Sequence, residues 1–216
     1  MKAVIFDMDG TLIDNMMVHH RAWQHILQKQ GLILSIDEVK EKIHGINTEI
    51  LEREFGDRFT PEERQAISWQ KEEMYRNIFG KQLRLIAGAE ALIRSLQEQE
   101  VPMAIATAAP PENVDFVLDG LVLREYFPVV LHSDDVSKGK PDPEIYLKAA
   151  ERLGVAPADC VVFEDTPTGA LAASRAGCRV IVITTTHKPN EFDHISGIAA
   201  FVPDFEEVHQ HLPITQ

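Results

Sequence analysis

Val4-Ile5-Phe6-Asp7-Met8-Asp9-Gly10-Thr11 reads as a short buried strand that runs into two carboxylates and a glycine. Asp and Gly are poor strand residues, so the strand stops where the acids begin. Asp7 and Asp9 therefore stand at a strand's C-terminal end, on a turn that Gly10 allows to be tight. A calcium loop is excluded by spacing. That loop needs glycine at its sixth position and an acid at its twelfth, where Leu12 and Val18 stand. Two readings of the octet remain at this point, a catalytic carboxylate pair or an ordinary Asp-Gly turn after a core strand.

Three later stretches bear on that choice. Ile105-Ala106-Thr107 is an apolar run ending in a hydroxyl, and Lys138-Gly139-Lys140-Pro141-Asp142-Pro143 puts a lysine just before a helix start. Val161-Val162-Phe163-Glu164-Asp165 is another buried strand ending in acids. Asp-x-Asp-Gly-Thr, then Thr, then Lys, then Glu-Asp is an order that resembles the haloacid dehalogenase-like phosphohydrolases. Within them the chain is similar to the β-phosphoglucomutase-like branch, and the resemblance spans essentially all 216 residues. It implies an α/β fold: a Rossmann-like parallel sheet with helices on both faces, and a small all-helical cap inserted after the first strand.

The hydrophobic share of 44% and charged share of 25% are those of a globular protein with a sizeable core. The net charge of −13 argues against a broad nucleic-acid surface, which needs clustered Lys and Arg. No apolar run approaches the ~20 residues of a membrane span. The N-terminus runs straight into the first strand, so no signal peptide is expected. Cys160 and Cys178 lack metal spacing and read as buried small residues. A cytoplasmic, reducing compartment and a monomer are expected.

Along the chain, the pattern changes once. Helices are predicted from Asn15 to Gln30, from a Ser35 cap with Glu38 three residues on, from an Asn47 cap, and from Thr60-Pro61. Residues 15–82 contain no convincing strand. From about 85 the pattern alternates between strands and helices, which implies a parallel sheet covered on both faces. The expected division is a core of 1–14 and 83–216 and a helical cap of 15–82. Ligands of such sheets sit outside the carboxyl ends of the strands, where all four motif stretches lie.

Phosphate-ester cleavage needs an in-line nucleophile, charge neutralisation and a proton for the leaving oxygen. Asp7 is expected to attack phosphorus, and Asp9 to protonate the leaving alkoxide and then deprotonate water. Two carboxylates facing a phosphate call for a hard divalent cation, Mg²⁺ being the usual one. The resemblance implies the Asp7 carboxylate, the Asp9 backbone carbonyl and Asp165 as its ligands, with Glu164 in or near the shell. Thr107 and the backbone amides of Ala108 and Ala109 are candidate donors to phosphoryl oxygens, and Lys140 the fixed positive charge. A P-loop is excluded, since Asp134 and Pro141 stand where Gly and Ser or Thr are required.

One residue sorts the neighbouring chemistries. Related dehalogenases lack the second Asp, and phosphonatases carry a small residue there, so Asp9 points to a phosphate ester or anhydride. In the resembling branch the first cap helix carries a His within a His-x-Arg-Ala-Trp-like run, matched by His19-His20-Arg21-Ala22-Trp23. His19 is then either a cap-hinge or relay residue or plain polar surface. The mutase cap motif resembles Lys-Gly-x-Ser-Arg, and this chain reads His44-Gly45-Ile46-Asn47-Thr48. Both cationic positions are changed, with Arg53 or Lys42 as substitutes from a neighbouring turn. The expected function is a Mg²⁺-dependent phosphatase of a small phosphorylated metabolite, a sugar or polyol phosphate. The alternatives are a β-phosphoglucomutase, a pyrophosphatase, or an idle phosphate-binding module.

Overall fold

The computed structural model describes residues 1–43 and 45–212. The chain divides into two compact units, Met1–Asp14 with Leu83–Gln216, and Asn15–Gln82. The first unit is built on six parallel strands: β1 (Ala3–Phe6), β2 (Met103–Ala106), β3 (Val129–Leu131), β4 (Cys160–Glu164), β5 (Arg179–Ile183) and β6 (Ile198–Val202). Their order across the sheet is β3-β2-β1-β4-β5-β6. The chain lays down β1, β2 and β3 in one direction, then returns to the other side of β1 for β4. The strand order thus reverses at β1, between its neighbours β2 and β4, and such a reversal opens a crevice at the carboxyl ends.

β1, β2 and β4 are buried along their whole length. That is why they read as continuous apolar runs rather than alternating ones. The register pairs Phe6 with Ile105 on one side and with Phe163 on the other. Asp7, Thr107 and the Glu164-Asp165 pair therefore leave the sheet at one edge. Successive residues face opposite ways. Ile5, Ala104, Val162, Val180 and Val182 join the layer formed by α7 (Glu144–Leu153) and α8 (Pro167–Ala176). On the other face Phe6 stacks on Phe163 at 5.1 Å, with Phe127 and Phe205 against them. Two further α-helices, α5 (Ala89–Glu98) and α6 (Pro111–Gly120), belong to this unit.

The described residues of the second unit form four α-helices: α1 (Met16–Lys29), α2 (Ile36–Lys42), α3 (Asn47–Phe55) and α4 (Pro61–Phe79). They enclose their own small core of Trp23, Ile26, Leu27, Val39, Ile50, Leu51 and Ile67. Ser35 and Glu38 close the expected capping box on α2, and Thr60 and Glu63 close one on α4. The expected Asn47 cap is corrected: Ile46 is the N-cap of α3, and no side chain caps it. Asn47 is the first helical residue, and its amide donates instead to Ser68 Oγ at 3.0 Å and Glu72 Oε1 at 2.7 Å. Long-range partners on α4 outcompete the local bond. No described helix is long and apolar enough to cross a membrane.

Candidate active site

The strand β1 ends at Phe6, and the chain turns at once. The amides of Thr11, Leu12 and Ile13 converge on the Met8 carbonyl, and Gly10 donates its amide to Ile13. Gly10 adopts φ +78°, and a Cβ there would run into the Asp165 carboxylate. Gly10 is thus required twice, for its left-handed backbone and for the space that lets Asp165 approach the turn. Asp7 is buried, and Asp9 is partly exposed.

Asp7 meets Lys140, whose Nζ donates to Asp7 Oδ1 at 2.7 Å and to Glu164 Oε1 at 2.6 Å. Lys140 is therefore no surface lysine: its side chain is 8% exposed. Lys138 is the solvent-facing one, with a side chain 74% exposed. The segment that leads into Lys140 is tied down from α7, where the Glu144 carboxylate accepts from the Ser137 and Lys138 amides and from Ser137 Oγ.

Glu164 receives Lys140 and the Tyr146 hydroxyl (2.9 Å) on Oε1, and the amides of Asp165 and Thr166 and the Thr166 hydroxyl on Oε2. Gly169 makes room for it, since a Cβ at that position would overlap the carboxylate. Asp165 is buried and accepts from Thr186 Oγ1 at 2.6 Å and from Thr11 Oγ1 at 3.3 Å. One carboxylate oxygen from each of Asp7, Glu164 and Asp165 lies within 4.8 Å of the others.

Three buried carboxylates against one ammonium leave two negative charges uncompensated. Burial pushes the Asp7 carboxyl up to about 7, Lys140 opposing and Glu164 adding to the rise. Asp165 is pushed well up by burial and by the Glu164 and Asp7 charges. Burial raises Glu164 too, but Lys140 and the amide donors outweigh it and hold that carboxyl below its ordinary range. Lys140 loses by burial and gains more from Asp7 and Glu164, so it stays charged. This donor set suits a divalent cation, which would restore the ionised state of Asp7 and Asp165. Each Glu164 oxygen already takes two or three protein donors, whereas each Asp165 oxygen takes one side-chain donor, so Asp165 and Asp7 have more to offer a metal.

Thr107 is buried at the end of β2, and its Oγ1 accepts the Ala109 amide at 3.1 Å. Its own O–H is left to donate. The Ala109 amide is thereby spent, which removes one of the two expected backbone donors. Ala108 is exposed, and its amide has no partner among the described residues.

In the four-helix unit, His19 is half-buried rather than plain surface. Its Nδ1 lies 2.8 Å from Lys71 Nζ, and its ring stacks on Tyr75 at 3.8 Å. With Nδ1 accepting from an ammonium the ring is neutral, and burial followed by the Lys71 charge holds its pKa well below 6.5. Lys71 also bonds Glu72 Oε1 at 2.8 Å, which Asn47 shares. Gly45 is exposed, and His44 lies outside the described residues. Arg53 is engaged by Glu54 and the Lys42 carbonyl, and Lys42 lies 3.9 Å from Glu38. Sequence reading missed Lys71, Glu72 and Tyr75 here, and Tyr146, Thr185 and Thr186 in the larger unit. None stands in a motif, and their partners are remote in sequence.

The family model for haloacid dehalogenase-like hydrolases matches residues 1–177. The chain is 33% identical over 222 residues to a probable pseudouridine-5'-phosphatase of Drosophila melanogaster, covering 97% of this chain and 93% of that one. It is 34% identical to hexitol phosphatase A of Escherichia coli K12, covering 89% and 88%. It is 33% identical to β-phosphoglucomutase of Bacillus subtilis strain 168, covering 82% and 80%. The crystal structure of a family IA, variant 3 hydrolase of the same class from Entamoeba histolytica superposes with a TM-score of 0.88 at 34% identity, covering 96% and 95%.

Proposed function

The chain belongs to the haloacid dehalogenase-like hydrolases, and on that premise we propose a Mg²⁺-dependent phosphatase of a small phosphorylated metabolite, a sugar or polyol phosphate. The observation that carries the reading is the buried Asp7–Lys140–Glu164–Asp165 cluster at the point where the strand order reverses. Asp7, Asp165 and the Asp9 main-chain carbonyl would hold the cation. Its part is to neutralise the carboxylates, so that a phosphate can approach them, and to polarise a phosphoryl oxygen.

The remaining steps belong to the chain's own residues. The Asp7 carboxylate attacks phosphorus, and the bond from phosphorus to the ester oxygen breaks. Asp9 gives its proton to that leaving oxygen. Lys140, anchored between Asp7 and Glu164, favours the ionised form of the nucleophile and offsets phosphoryl charge. The Thr107 hydroxyl donates to a phosphoryl oxygen. Asp9, now ionised, takes a proton from water, the resulting hydroxide attacks the Asp7 phosphoryl group, and inorganic phosphate leaves with Asp7 restored. The helices of 15–82 act as the cap that selects the leaving group.

The test is phosphate release from a panel of sugar, polyol and nucleoside monophosphates, with Mg²⁺ and with excess chelator. Turnover of sugar or polyol phosphates that chelation abolishes is the expected result. Activity that survives complete chelation overturns the metal reading. Preference for pyrophosphate or for no phosphate compound overturns the substrate class.

A further inference from the structure

We propose that the loop after β5 is the outer wall of the metal site, with Thr186 the positioning residue that aims Asp165 and Thr185 fixing the nucleophile turn from the same loop. The inference rests on the reading of Asp165 as a metal ligand.

Thr186 Oγ1 lies 2.6 Å from Asp165 Oδ2, 3.0 Å from the Asp165 carbonyl and 2.9 Å from His187 Nδ1. A hydroxyl has one proton to give. The carboxylate is the closest and the most negative acceptor, so the proton goes to Oδ2. The contact with His187 is then satisfied by the tautomer that carries its proton on Nδ1. The result is a directed chain, His187 Nδ1–H to Thr186 Oγ1–H to Asp165 Oδ2, in which each bond strengthens the next. On its other oxygen Asp165 has the longer bond from Thr11, at 3.3 Å, which leaves Oδ1 the better placed to serve as a ligand atom.

Thr185 points at the other half of the site. Its Oγ1 donates to the carbonyl of Gly10, the residue whose missing Cβ admits Asp165. Adjacent hydroxyls thus brace the turn that carries Asp7 and Asp9 and the carboxylate that faces it. The loop is itself held at both ends. Thr184 donates its amide to the Val202 carbonyl of β6 at 2.9 Å. Past the loop, the Glu191 side chain accepts the Lys188 amide at 2.7 Å, and the His187 ring meets Phe192 edge-on at 6.3 Å. A ligand carboxylate can swing about its Cβ–Cγ bond, and partners of this kind are what fix its aim.

The experiment is a titration of the full-length, metal-free protein with Mn²⁺ followed by electron paramagnetic resonance, comparing wild type with Asp165→Asn, Thr186→Val, Thr186→Ser and His187→Phe. Wild type should bind one ion and Asp165→Asn should lose it. Thr186→Val, isosteric but without the hydroxyl, should bind roughly 10- to 100-fold more weakly. Thr186→Ser, which keeps the hydroxyl, should restore wild-type binding. His187→Phe should weaken binding in the same direction and keeps the test decisive if Thr186→Val fails to fold. Thr186→Val or His187→Phe binding Mn²⁺ like wild type, while Asp165→Asn does not bind it, overturns the positioning role and leaves the metal reading standing. Absence of Mn²⁺ binding by wild type overturns the metal reading and the positioning role with it.

Discussion

Tyr146 shows how one hydroxyl shapes this site. It is fully buried, donates to Glu164 Oε1 at 2.9 Å, and its ring lies 5.0 Å below the Lys140 ammonium. Tyr146→Phe keeps the ring under Lys140 and removes a donor from a buried carboxylate. The expected loss is about 1 to 3 kcal/mol of stability, read as a lower unfolding midpoint in urea. Turnover should fall as well, because Lys140 is then drawn further toward Glu164 and away from Asp7. An unchanged midpoint would show that the hydroxyl carries no load. Asp7→Asn is expected to leave the fold intact and abolish turnover, since an amide cannot serve as the attacking carboxylate. Asp9→Asn should lose ~10²-fold or more in kcat, the loss expected of a general acid and base. Folded variants turning over at wild-type rates would remove these residues from their roles.

At the scale of elements, function depends on how segments are pinned beside the strand ends. Glu144, in the first turn of α7, takes the Ser137 and Lys138 amides and the Lys148 ammonium, and so fixes the segment that leads into Lys140. The Lys148 bond first, then the Ser137 and Lys138 donors, lower the Glu144 carboxyl from 4.5 to about 2. The folded pKa lies below the unfolded one. The contribution to stability is therefore present above 4.5 and is lost as pH falls toward about 2. Wild type and Glu144→Gln should differ in thermal midpoint at neutral pH and converge across that acidic window. A gap that stays constant would assign the effect to packing instead. Much of this level was legible in the sequence. Buried parallel strands read as apolar runs, and the acids that follow β1 and close β4 mark the site, because a buried carboxylate at a strand end needs partners such as those Lys140 and Tyr146 give Glu164. Capping boxes at Ser35 and Thr60 are local, so they were readable too. Asn47 was not, because its amide answers to Ser68 and Glu72, more than twenty residues away. Thr186 and Tyr146 escaped for the same reason: a threonine after β5 or a tyrosine in α7 says nothing until the sheet brings Asp165 and Glu164 beside it.

Across the whole molecule, the chain is acidic, with a net charge of −13, so each phosphate it holds must find a local cation. One such cation, Lys140, sits at the proposed transfer site. A mutase needs a second, because its intermediate carries two phosphates while one end is handed to the nucleophile. Such a second phosphate is best held by a free bidentate arginine. In the four-helix unit Lys71 is neutralised by Glu72 at 2.8 Å, Arg64 by Glu52 at 3.1 Å and Arg53 by Glu54 at 3.1 Å. His19 beside Lys71 is held neutral, and Thr48 stands where the mutase motif carries arginine. Recruiting any of these cations would mean breaking its existing pair, and for the buried Lys71–Glu72 pair that cost is about 3 to 5 kcal/mol. A bisphosphate that relied on these residues should therefore be bound weakly, and water should reach the Asp7 phosphoryl group before a second hydroxyl does. The measurement is to supply β-glucose 1-phosphate with catalytic bisphosphate and Mg²⁺ and to follow both products. Free phosphate is expected to accumulate faster than glucose 6-phosphate. The reverse order would make isomerisation the principal activity, and substitution of Lys71 by methionine would then be expected to abolish it while sparing hydrolysis of small aryl phosphates.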